Sequence, residues 1–418
     1  MKEQSSTDYD KKRWRVLFVS CIINLCIGSL YAWSVFVNPM VEKLTSLHRL
    51  EATAAGLAIV FTVANSVGPI TMISGGYINN KLGAQKVVFI GGLLFGGGMM
   101  LSGLASNISF LTLSYGLGCG LGMGMVYGVT INNSVKFYPE RRGLIGGIVT
   151  ATYGLSSVIV PPIANKMIQS IGISNTFFII GILCILIICS GSFFIITCPN
   201  GYMPKGYEIA IRKNIGIQKT DKNWKEMLQT KQFYMMLFML LCGAFSGLMI
   251  TSQVSPMAQI ITGMSVDMAA ATVSMMALFN ATGRVIAGNL SDKLGRSNVL
   301  MVTFILELIG LLGLRMCRQG GYVIFFISVA IIGTCFGSLM GIYPGFTADQ
   351  FGSKNNSINY GIMFVGFALA GLLGPTVAGH IFTNYENYLI AFYVAMVLAA
   401  IGFGLTICFK GGEASETK

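Results

Sequence analysis

Charge is what this sequence has least of. Only 11% of its 418 residues are Asp, Glu, Lys or Arg, where soluble proteins usually carry about 25%. Soluble segments contain no nucleophile–base–acid set, no His/Cys/Asp/Glu cluster at metal-ligand spacing and no phosphate-cradling glycine loop, which argues against an enzyme and against any resident metal or cofactor. The ten cysteines, among them Cys21, Cys26, Cys119, Cys184 and Cys189, lie along apolar stretches without paired spacing. They read as small packing residues. A large soluble core is excluded by what fills the remainder.

What is present is apolar. Hydrophobic residues make up 54% of the chain, and runs of roughly 18 or more recur from end to end, each long enough to cross a ~30 Å hydrocarbon core. The 52 glycines suit close helix–helix approach in lipid. The pattern predicts an all-α membrane protein with twelve transmembrane helices, at 17–39, 53–78, 86–105, 109–132, 143–168, 174–197, 232–256, 268–290, 297–316, 321–343, 358–382 and 388–409. The expected domains are a tail (1–16), a six-helix bundle (17–197), a linker (198–231), a second six-helix bundle (232–409) and a final tail (410–418). A short interfacial helix is expected around Trp224–Met227. The polar, basic start runs directly into the first span without an A-x-A-like cleavage site, and reads as a tail and not as a removed signal peptide.

A net charge of +12 would suit a nucleic-acid binder, but its distribution points to a bilayer. With the N-terminus placed inside, inside segments hold 22 Lys/Arg and outside loops five (Lys43, Arg49, Lys166, Arg315 and Arg318). That bias puts both termini in the cytoplasm. The remaining cation is Arg284.

The two halves read as a repeat. Gly76-Tyr-Ile-Asn-Asn80-Lys81-Leu-Gly83 matches Gly288-Asn-Leu-Ser-Asp292-Lys293-Leu-Gly295 at an offset of 212. Phe137 precedes Pro161, and Phe351 precedes Pro375, by the same 24 residues; Pro39 and Pro256 are expected to end the first helix of each half. Two like-oriented six-helix units form a parallel-repeat architecture, for which a midplane substrate site between the halves is expected.

In the second loop motif, Gly288 permits close packing, Asp292 can cap a helix start, and Lys293 and Arg296 hold the loop at the headgroups. This loop resembles the signature of the major facilitator superfamily. The first copy carries Asn80 and Gln85 instead of the Asp and a basic residue. Further residues narrow the resemblance. They are Gly28-Ser-Leu-Tyr31-Ala-Trp33-Ser34 with Asn38-Pro39, Gly124-Met-Val-Tyr127-Gly128, Phe137-Tyr138-Pro139-Glu140-Arg141-Arg142-Gly143, Thr152-Tyr153-Gly154, Phe279-Asn280-Ala-Thr-Gly283-Arg284 and Asn359-Tyr360-Gly361. Together, and over essentially the whole chain, they resemble the oxalate/formate antiporter family, a bacterial branch of that superfamily near the monocarboxylate transporters. The resemblance implies a multi-pass protein of the bacterial cytoplasmic membrane, working as a monomer on a small organic anion.

Arg284 carries the functional expectation. A lipid-facing Arg at a helix centre costs about 2.5–3.5 kcal/mol on insertion scales, so it is expected to face a cavity and hold a carboxylate through paired hydrogen bonds. In the family this position binds the substrate carboxylate. Asn280, one turn earlier, is expected to orient the guanidinium or bind substrate. The monocarboxylate transporters place an Asp there, and that proton carrier is missing here. The oxalate transporter's pattern also has a Lys in the eleventh span. The aligned residue is Phe367, and 358–382 holds no other Lys or Arg. One cation argues for one carboxylate, because a second unpaired buried charge is costly.

Tyr31, Tyr127 and Tyr153 are expected to enclose the anion, with Phe336 and Phe364 completing the enclosure, as the family uses aromatics there; interhelical packing is the other reading of each. Trp33 reads as core. Glu140, Arg141 and Arg142, with the loop residues Gly76, Lys81, Gly83, Gly288, Asp292, Lys293, Gly295 and Arg296, read as gating elements. His380 is a possible proton site, and Glu307 reads as structural. The function expected is transport of a small monocarboxylate such as formate, lactate or pyruvate by alternating access, through anion exchange or proton symport. The alternatives are a dicarboxylate antiporter of the oxalate/formate type, an efflux pump of another solute, a sugar carrier, and an anion-sensing membrane receptor. Acids and amides are too sparse in the relevant spans for a sugar carrier or a cationic drug pump.

Overall fold

The computed structural model describes residues 2–48, 53–199, 201–204 and 221–416. Arg49, the linker stretch 205–220 and the side chain of Asn80 lie outside the described residues. Eleven apolar helical stretches are long enough to cross a membrane. The fifth, Arg142–Ser192, is two helices, because Gly172 interrupts it with φ 79° and ψ 164°, a conformation open mainly to glycine.

The described residues therefore form twelve spanning helices: α1 (Tyr9–Ser46), α2 (Gly56–Asn79), α3 (Ala84–Ser102), α4 (Ile108–Phe137), α5 (142–171), α6 (173–192), α7 (Lys231–Thr262), α8 (Val266–Leu294), α9 (Arg296–Met316), α10 (Tyr322–Phe351), α11 (Asn356–Tyr385) and α12 (Leu389–Lys410). Side-chain caps start several of them. Thr53, Asn107, Thr230 and Ser265 each accept the backbone N–H three residues on, which satisfies one of the orphan donors at a helix start. A short helix lies where one was expected, at Trp224–Leu228, started by a capping box of Asn223 and Glu226.

Pro39 and Pro256 do not end helices as the sequence led us to expect. The helices run on to His48 and Thr262, with the prolines inside. A proline forfeits one backbone hydrogen bond, and neighbouring helices make that tolerable in a membrane span. The weak point of α1 is instead a 3-10 turn at Gly28–Ala32. A Cβ on Gly28 would lie 2.6 Å from Cβ of Ser156, so only glycine lets α1 and α5 approach there.

By contact, the chain divides into two compact units. The first comprises Met1–Glu140, Thr152–Asp221 and Ala348–Ile362; the second comprises Arg141–Ala151, Lys222–Thr347 and Met363–Lys418. The first unit thus takes in the start of α11, where a Cβ on Gly76 would meet the Ser357–Ile358 peptide at 2.9–3.0 Å. The second unit takes in the start of α5, where Gly288 lies against the Gly143 backbone.

A glycine stripe at four-residue spacing builds one closely packed helix pair in each unit. In the first unit, Gly116, Gly120, Gly124 and Gly128 of α4 face Val60, Ala64, Gly68 and Met72 of α2. In the second, Gly333, Gly337 and Gly341 of α10 face the backbone of Met276, Asn280 and Arg284 of α8. This small-residue packing brings backbones together where hydrophobic exclusion cannot. The offsets between copies, 217 along the stripes and 216 along the facing helices, make Arg284 the counterpart of Gly68. The loop motif repeats as well. Gly83 and Gly295 have nearly the same backbone, φ 85° with ψ 161° and φ 87° with ψ 147°, which is why both copies end in glycine.

Candidate functional site

In the second unit, Arg284 is 3% exposed. Glycine backbones hold its stretch of α8 from two sides, since both Gly341 of α10 and Gly147 of α5 lie directly against its carbonyl. Its side chain is fixed by two neutral acceptors. Nε donates to Oδ1 of Asn280 at 2.9 Å, and Nη1 donates to the carbonyl of Thr150 at 2.7 Å. Among the described residues Arg284 has no ion pair. The Asp292 carboxylate, two turns on, accepts the N–H groups of Gly143 and Leu144, both at 2.8 Å, and pairs with Arg296 at 2.7 Å. The guanidinium is thus oriented without being neutralised. Hydrogen bonds from a charged group to neutral acceptors contribute about 1.5–3 kcal/mol each, which offsets part of the cost of burial.

Asn280, one turn before Arg284, accepts the guanidinium Nε–H. Thr150 was not legible as a partner, because its contribution is a backbone carbonyl and carries no side-chain signal. Only Gly147, one turn away, marks the close approach of α5.

Three phenylalanines form a ring stack in the same unit. Phe364 and Phe367 lie 4.5 Å apart at 23°, and Phe367 and Phe336 lie 6.1 Å apart at 5°. Phe336 is seated on Gly247 of α7, where a Cβ would overlap its ring. Position 367 is therefore the middle of an apolar stack, and all three rings are buried. Phe336 also precedes Gly337, which packs on the Asn280 carbonyl, so one stretch of α10 supports both the stack and the Arg284 turn.

The three tyrosines come together in the first unit. Tyr153 is central, with ring centroids 5.1 Å from Tyr31 and 5.0 Å from Tyr127. Tyr31 also meets Phe61 at 6.3 Å. Trp33 packs on Tyr115 at 4.6 Å, and the Tyr115 hydroxyl donates to the Leu30 carbonyl at 3.0 Å, so Trp33 belongs to the core beneath the 3-10 turn.

Among the gating candidates, Glu140 pairs with Arg13 at 2.7 Å, inside the first unit. Arg141 is exposed, Lys81 lies over the Tyr77 ring at 4.6 Å, and Lys293 stands in the last turn of α8. Asp292 meets the start of α5, so negative charge lies at a positive helix end. His380 is exposed, with Nε2 at 3.1 Å from Nδ2 of Asn384 on its own helix.

Comparison with known proteins agrees with this architecture. A sequence profile described as Major Facilitator Superfamily matches residues 16–271 and again 242–418. An uncharacterized MFS-type transporter of Escherichia coli, YhjX, is 28% identical over 366 residues, which is 88% of this chain and 87% of that protein. The oxalate:formate antiporter of Oxalobacter formigenes is 27% identical over 405 residues, 96% of this chain and 92% of the antiporter. Among solved structures, the proton:xylose symporter XylE has a TM-score of 0.74 at 14% identity, covering 95% of each chain. At that identity the likeness concerns the fold alone.

Proposed function

The chain belongs to the major facilitator superfamily, and we propose that it is a secondary active transporter of small carboxylate anions, with monocarboxylates such as formate, lactate or pyruvate as its substrates. That it is a membrane transporter and not an enzyme follows from the family itself. The substrate class rests on one observation, the buried Arg284 guanidinium held, among the described residues, by the neutral acceptors Asn280 and Thr150. A carboxylate is a ligand that such a group can hold through two parallel N–H···O bonds. The oxalate:formate antiporter among the relatives supports an organic anion. Phe367, within a stack of three rings, favours one carboxylate with a small apolar tail.

Transport proceeds by alternating access, as anion exchange or proton symport, in a monomer of the bacterial cytoplasmic membrane with both termini inside. An empty carrier retains a buried positive charge, and this disfavours its return without an anion. The relative that exchanges oxalate also supports a second reading, a dicarboxylate antiporter, which would need a cation besides Arg284. Binding of formate, acetate, lactate, pyruvate and oxalate to purified protein, read by thermal shift with wild type and Arg284→Ala, separates these readings. Monocarboxylate binding that is lost in the variant is expected. Preference for oxalate would favour the second reading, and unchanged binding in Arg284→Ala would remove the site assignment.

A further inference from the structure

Glu307 is the acid that the carboxylate site leaves unused. It lies mid-way along α9 and is 1% exposed. Its Oε1 is in hydrogen-bond contact with the Ser246 hydroxyl of α7, and the same hydroxyl stands 3.4 Å from the Gly243 carbonyl. Oε2 has no partner among the described residues. A serine hydroxyl has a single hydrogen to donate. If Glu307 were ionised, Ser246 would face two acceptors with that one hydrogen, and a buried carboxylate would keep one hydrogen bond and no counter-charge, an arrangement that is costly in an apolar medium. If Glu307 carries a proton, it donates to Oγ of Ser246, and the serine hydrogen is free for Gly243. Each contact then has its donor.

Among the described residues Glu307 makes no ion pair. Cys242 of α7 and Cys335 of α10 flank the carboxyl. Among the described residues, the charged groups of the packed helices stand at helix ends: Lys231 on α7, Asp267 and Lys293 on α8, Arg296 and Arg315 on α9, Asp349 on α10 and Lys410 on α12. Asp292 is paired with Arg296, and Arg284 is bonded to Asn280 and Thr150. Meanwhile the residues next to the acid's neighbours reach the ring stack. Ser246 is followed by Gly247 and Cys335 by Phe336, and Gly247 seats the Phe336 ring.

We propose that Glu307 is a proton-binding site whose occupancy governs anion binding at Arg284 through the α7–α10 contact of Gly247 with Phe336, an inference that rests on the transport function proposed above. The protonated acid holds α7, α9 and α10 as observed. Loss of the proton leaves an uncompensated charge behind Phe336, loosens its seat on Gly247, and weakens anion binding. Affinity therefore falls as pH rises, by at most about tenfold per pH unit for one linked proton.

The test measures formate affinity of purified full-length protein against pH, over a range in which formate stays fully ionised, for wild type, Glu307→Gln and Glu307→Asp. Infrared spectra recorded alongside look for the carbonyl stretch of a protonated carboxylic acid at neutral pH. A wild-type slope that flattens in Glu307→Gln and persists in Glu307→Asp, with an acid band lost in Glu307→Gln, is the expected result. An unchanged slope in Glu307→Gln, or no acid band in wild type, overturns the proposal. If wild type binds no carboxylate at any pH, the transport reading falls and the coupling with it, while the infrared band still decides the proton site. Should Glu307→Gln not fold, Ser246→Ala is expected to shift the band by removing its hydrogen bond, and an unmoved band overturns the assignment.

Discussion

The carboxylate of Asp292 accepts the backbone N–H of Gly143 at 2.8 Å, across 149 residues of sequence. With the second bond to Leu144, one side chain of α8 satisfies two orphan donors at the start of α5 and places negative charge at a positive helix end. Replacing Asp292 with Ala removes the cap and the carboxylate that pairs with Arg296. A loss of about 2 kcal/mol is expected from lost caps of this kind. It should be read as a lower melting temperature in detergent, with Asp292→Asn intermediate because it keeps an acceptor.

Arg284→Lys separates charge from geometry. The ammonium keeps the positive charge but cannot reach Asn280 and Thr150 in the fork arrangement that fixes the guanidinium. Carboxylate affinity should fall by roughly tenfold or more, the equivalent of one charged hydrogen bond, while the protein still inserts. Isothermal titration with formate checks this, and wild-type affinity in Arg284→Lys would argue against the fork.

Phe367→Lys places a second cation in the ring stack. If position 367 sets the number of carboxylates bound, this variant gains oxalate binding at the expense of formate and lactate. Competition between oxalate and formate in proteoliposome uptake is the measurement. An unchanged preference would show that the Phe364–Phe367–Phe336 stack does not face the substrate.

Gly337→Ala tests the glycine stripe. Its Cβ would overlap the Asn280 carbonyl, so α8 and α10 must separate, and overpacking of this kind costs about 1–3 kcal/mol. Gly404→Ala on α12 is the control, because nothing lies within 4 Å of the place its methyl group would take. The first substitution should lower both stability and anion affinity, and the second should leave both near wild type.

Gly83→Ala and Gly295→Ala test the loop motif by backbone alone. Both positions combine φ near +85° with an extended ψ, 161° and 147°, a region kept almost entirely to glycine, which costs a residue with a Cβ about 1–3 kcal/mol. A similar drop in melting temperature for each is expected, because both loops fold alike despite the Asn80 and Asp292 difference between them.

The sequence by itself determined the class of protein and its helices. Runs of about 20 apolar residues have no stable alternative to a spanning helix, since every backbone group must be bonded within the segment. It also singled out Arg284 and Asn280, because a charge in an apolar helix is conspicuous and its neighbour one turn away shares its face. It misled where local rules are overridden by lipid and packing. Pro39 and Pro256 do not stop their helices. Only the tertiary structure decided what lies around the site. The Thr150 carbonyl on Arg284, the Gly143 amide on Asp292 and the serine beside Glu307 are contacts between residues far apart in the chain. Two of them are made by backbone atoms, which every residue has, so no residue type could announce them. They exist because glycines let helix backbones approach, and that approach is a property of two surfaces together.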